Sequence, residues 1–109
     1  MIQNITEVID RLETIPELYN KVVYDHFTTA QQLPFAAYTY TFITSGADDY
    51  KGVQWISFNL ELYTEVRDFE LEHTILTLLS DVEIQSDCSF LDNERMYMTT
   101  FNFTFPQKL

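Results

Sequence analysis

The chain has 109 residues, 46% of them hydrophobic and 16% aromatic, enough apolar material for one compact core and too much for a disordered chain. Seventeen acidic residues against six basic ones leave a net charge of −11. That balance argues against nucleic-acid and anionic-membrane docking, both of which need clustered Lys and Arg.

The single cysteine, Cys88, excludes an internal disulfide and multi-cysteine zinc sites, and it fits a reducing, cytoplasmic setting. No apolar run reaches the roughly 20 residues that a membrane span needs. The opening residues, MIQNITEVIDRLE, lack a basic region followed by a continuous apolar stretch, so no secretory signal is expected. Instead Ile2, Ile5, Ile9 and Leu12 recur at spacings of three and four, with Val8 alongside. They predict an amphipathic helix ending near Thr14, stopped by Pro16. Residues 21–27 (KVVYDHF), rich in β-branched and aromatic side chains, predict a short strand, and the polar residues 28–32 a loop. Pro34 then precedes a strand over residues 35–43, in which Ala36, Tyr38, Tyr40 and Phe42 alternate with Ala37, Thr39 and Thr41. One face is aromatic and the other small and polar.

Residues 44–52 (TSGADDYKG) hold both glycines of the chain and join two strands of matching alternation, the pattern of an antiparallel hairpin. Nine residues exceed the usual hairpin loop, and long acidic tips often carry partner contacts. Ser45, Asp48, Asp49 and Tyr50 are therefore candidate contact residues. The next strand begins at Val53. Ile56, Phe58, Leu60 and Leu62 lie on one side, and Ser57, Asn59, Glu61 and Tyr63 on the other. At Thr64 the period changes, and Phe69, Glu72, Ile75, Leu76 and Leu79 recur at helical spacing. Asp68 or Thr64 can cap that second helix. The short join folds it back over the apolar face of the strand it follows.

Residues 81–92 contain a weak strand through Ile84, with Cys88, Phe90 and Leu91, and Asp92-Asn93-Glu94 reads as a turn. The last strand starts at Met96. Tyr97, Phe101, Phe103 and Phe105 face one way, Met98, Thr100, Asn102 and Thr104 the other, and Pro106 is expected to end it. The result is a single α+β domain over residues 1–109, in the order α-β-β-β-α-β-β. Its sheet is mainly antiparallel, pure or mixed, with both helices on one face.

No catalytic or cofactor constellation emerges. His26 and His73 fall on different elements without companions at metal-ligand spacing, so no metal is expected. Cys88 has no neighbouring base or positive charge to activate its thiol. Two glycines cannot build a phosphate-cradling loop. Carboxylate pairs are numerous only because acids are numerous. The uncovered sheet face carries Trp55, Tyr63, Met96 or Met98 and several threonines, a composition suited to burial against a neighbouring subunit. Trp55, Tyr63 and Met98 join the loop residues as candidate contacts.

The run PFAAYTYTF, the hairpin, the strand and helix start LELYTEVRDFELE, and the final strand ERMYMTTFNFTF together resemble small tail-completion proteins of the tail-terminator group. Those proteins belong to long-tailed bacteriophages and prophages. The resemblance extends from the opening helix to the last strand. It implies a non-enzymatic structural protein of the virion tail or neck, assembled in the bacterial cytoplasm. Such a protein forms a ring, commonly a hexamer, on the last tail-tube ring and faces the head-side connector protein. DNA passes through its centre without specific binding, and an acidic lumen suits that passage. In the resembling proteins a long hairpin loop takes part in assembly contacts, which matches residues 44–52. Other classes stay open. An acidic inhibitor that mimics DNA would also be small and negative, although the interspersed acids form no long row on one face. A generic protein-interaction domain and a small-molecule enzyme or binding domain are the remaining alternatives.

Overall fold

The computed structural model describes residues 1–27, 29, 31–43 and 53–108. Helix α1 (Ile5–Leu12) starts where the Asn4 side chain accepts the Glu7 N–H at 2.8 Å, and it turns Val8 and Leu12 into the core. It ends two residues earlier than its pattern implies. A single 3-10 turn (Pro16–Leu18), not expected from the sequence, follows and buries Leu18.

Strand β1 (Val22–Tyr24) is shorter than expected. Asp25 takes a left-handed backbone, φ 65, and its N–H donates to the Tyr38 carbonyl at 2.7 Å. The chain leaves the sheet there, so His26 lies outside the strand in which the sequence had placed it. Strand β2 (Phe35–Ile43) has the expected bounds and runs parallel to β1, which makes the sheet mixed. Strand β3 (Val53–Thr64) pairs with β2 as the antiparallel hairpin, from Phe35 opposite Tyr63 to Ile43 opposite Trp55.

Helix α2 (Phe69–Leu78) is capped by Asp68, whose carboxylate accepts the Leu71 N–H at 3.0 Å. Its buried stripe is Leu71, Glu72 and Ile75, continued by Leu79. Phe69, expected on that stripe, is exposed, with the Arg67 guanidinium 4.4 Å above its ring. As the first helical residue it points away from the sheet, and Leu71 takes the core position. Glu72 tolerates burial because Arg67 and the Thr99 hydroxyl both donate to it, at 3.2 and 3.3 Å.

Strands β4 (Gln85–Leu91) and β5 (Met96–Lys108) are joined by a turn closed by the Arg95 N–H on the Leu91 carbonyl. The sheet order is β1-β2-β3-β5-β4, and the α+β class with the order α-β-β-β-α-β-β is as expected. Pro106 does not end β5. The Ala36 N–H bonds to Lys21 on the β1 side, so even residues of β2 point to β1 and odd ones to β3. Carrying that alternation through the register makes odd residues of β5 bond to β3, and even ones, including Pro106, point outward. β4 stops at Gln85, opposite Asn102, so the missing proline N–H falls on an unpaired edge.

The core lies between one sheet face and both helices. Phe58, Leu60, Phe101 and Phe105 meet Val8 and Leu12 of α1 and Ile75 of α2. Phe58 sits at its centre, stacked on Tyr38 at 5.4 Å and on Phe103 at 5.1 Å. Arg11 ties the helices together: it donates to the Leu78 carbonyl at 3.0 Å, to Asp81 at 2.9 Å and to Glu7 at 2.6 Å. That guanidinium holds the Asp81 carboxyl down at about 2. Among the described residues no helix is long and apolar enough to cross a membrane.

Candidate interaction surface

The odd residues of β3 and the even residues of β5 form the sheet face that no helix covers. Register divides it into three zones. Its middle is polar, with Asn59 between Thr39 and Asn102 and Glu61 opposite Thr100. Tyr63 lies opposite Phe35 and Met98 at one end, and Trp55 lies opposite Ile43 and Pro106 at the other. Trp55, Tyr63 and Met98 do share the uncovered face, as expected. They do not share a site: Tyr63 is eight strand steps from Trp55, about 26 Å at strand rise. Ser45, Asp48, Asp49 and Tyr50 lie outside the described residues.

At the Trp55 end exposed apolar side chains lie on both sides of the sheet: Ile43, 46% exposed, and Trp55, 37%, on the uncovered face, and Phe42, 52%, opposite Ile56 on the helix side. Among the described residues the backbone beside them also has no strand partner. β1 covers β2 only as far as Tyr38, and among the described residues no strand lies on the β1 side of residues 39–43. By the alternation above, the N–H and C=O groups of Tyr40 and Phe42 face that open side. An extended, apolar, unpaired edge of this kind accepts an additional strand. The β5 edge at the same height is blunted by Pro106. The sequence pointed to Trp55 here but missed Phe42 and Ile43.

At the Tyr63 end, Phe35 stacks on Tyr63 at 5.0 Å, and Phe27 meets Phe35 edge-on at 5.5 Å. With Leu91 and Met96 they wall a cleft of about 460 Å³. The Tyr63 hydroxyl donates to Glu61 at 2.8 Å. Burial raises the Tyr63 phenol well above its ordinary value, and the bond to Glu61 and the charges of Glu61 and Glu94 push the same way. Asp25 and His26 also line the cleft, paired to each other at 2.8 Å and largely in solvent.

His73 lies exposed on α2, and Cys88 is half-buried on β4. No group of three metal-ligating side chains occurs among the described residues. In comparisons with protein-family models and with curated proteins, nothing matches this chain.

Proposed function

We propose that this protein is a structural virion-assembly protein of the tail-terminator kind. It closes into a ring on the head-proximal end of a phage tail tube and presents a surface to the head-side connector. The observation that supports self-assembly best is the edge of β2 at residues 39–43, unpaired among the described residues, with Phe42, Ile43 and Trp55 exposed around it. A neighbouring copy that adds a strand there satisfies the open backbone groups and removes the apolar side chains from water. The net charge of −11 fits a conduit that DNA must traverse without sticking. The role and the placement in the virion rest on resemblance to tail-completion proteins, and the edge supplies a physical route to the ring.

Light scattering on the purified chain tests the reading, first alone and then with the tail-tube protein of the same phage. The expected outcome is a mass several times the 12.9 kDa of one chain, or co-assembly that stops tube growth. A monomer that leaves tube growth unchanged overturns it.

A further inference from the structure

The cleft at the Tyr63 end has a chemistry that the ring does not require. Its walls are aromatic and aliphatic: Phe35, Tyr63 and Met96 on the sheet, with Phe27 packed edge-on against Phe35. Its polar side chains include the carboxylates of Glu94 and of Asp25, the latter paired with His26, and Glu61 stands behind Tyr63. None of the described lining residues is Lys or Arg. An anion is repelled by this surface, and a purely apolar ligand would strip water from the carboxylates without replacing it. A flat cation satisfies both parts. A guanidinium lies on aromatic faces and donates to carboxylates in the same plane. The chain makes that arrangement internally, where Arg67 lies over the Phe69 ring and donates to Glu72.

We infer that this cleft receives an arginine side chain carried on an exposed segment of a partner protein. The cleft volume of about 460 Å³ is in the range of ligand pockets and larger than one side chain, leaving room for the residues that flank the arginine. The site is independent of the β2 edge, so its fate does not decide the assembly reading.

Amide-shift mapping by NMR with the probe acetyl-Ala-Arg-Ala-amide tests it. The expected result is saturable shifts confined to the cleft, around Phe35, Tyr63, Leu91 and Met96, and none with the citrulline version of the probe. Glu94→Gln weakens binding about two- to fivefold, as loss of a solvent-exposed ion pair does. Asp10→Asn, which removes the same charge from the exposed surface of α1, leaves binding unchanged. Glu94 is an exposed turn residue, so its variant folds. Equal binding of the citrulline probe overturns the inference. So do shifts spread along the acidic helices, or equal weakening by the two variants, because those are the marks of unspecific attraction to an acidic protein. Spermidine that saturates the same amides more tightly than the peptide overturns the assignment to a protein segment in favour of a free polyamine.

Discussion

Asp81 links two elements through one guanidinium. Arg11, on α1, reaches both the Leu78 carbonyl at the end of α2 and the Asp81 carboxylate just beyond it. The hydrogen bond from Arg11 is the largest cause of the low Asp81 value of about 2, against about 3.9 in an unfolded chain. Between those values the unfolded state binds more protons than the folded one. Stability from this group is therefore present above about pH 4 and is lost as pH falls through about 2. The group lies at the surface, so solvent screening limits its share to about 1 kcal/mol or less. Asp81→Asn is expected to lower stability by that amount in urea unfolding at pH 7. The difference from the parent chain should vanish near pH 2. These two conditions lie on either side of the pI of about 4.2, where the chain is least soluble. A difference that stays constant from pH 7 to pH 2 would assign the loss to packing.

At the scale of elements, the edge of β2 is the feature with a consequence outside the monomer. Phe42→Pro removes an N–H that points away from β3, so the hairpin ladder stays intact while the edge loses its donor. The variant is expected to remain folded by circular dichroism and to lose self-association in sedimentation. An unchanged oligomer would show that the edge is not the contact. How far such features are legible in the chain depends on their length. β2, β3 and β5 sustain their alternation over nine or more residues, so their faces and pairing follow directly from it. β1 is three residues long and ends at the left-handed Asp25, which local composition does not announce. Pro106 does not end β5 as its type implies, because whether its missing donor matters depends on where β4 stops, a fact of tertiary pairing. Leu71 takes the place expected of Phe69 because Leu71, Ile75 and Leu79 lie four residues apart on one stripe, and Phe69 lies about 100° round the helix from its centre. The cleft was invisible for the same reason as the β2 edge: Phe27, Tyr63 and Glu94 come from three separate segments and meet only in the folded sheet.

For the whole molecule, the charge of −11 acts on the two proposed contacts in opposite directions. Copies that meet along the β2 edge bring together like-charged bodies, and the attraction between them is apolar and hydrogen-bonded. Salt shortens the screening length from about 10 Å at 0.1 M to about 3 Å at 1 M, which removes repulsion and leaves that attraction in place. Self-association should therefore strengthen as NaCl is raised from 0.05 to 0.5 M, seen as a rising weight-average mass at fixed protein concentration. The arginine cleft works through attraction between opposite charges at a partly open site, so affinity for the arginine peptide should fall over the same range. The opposite signs separate the two contacts without any mutation. A mass that falls with salt would mean that ion pairs join the copies. With Arg11 and Arg67 already engaged within the chain, Lys21, Lys51, Arg95 and Lys108 would then be the cations to test, by replacing each with Gln.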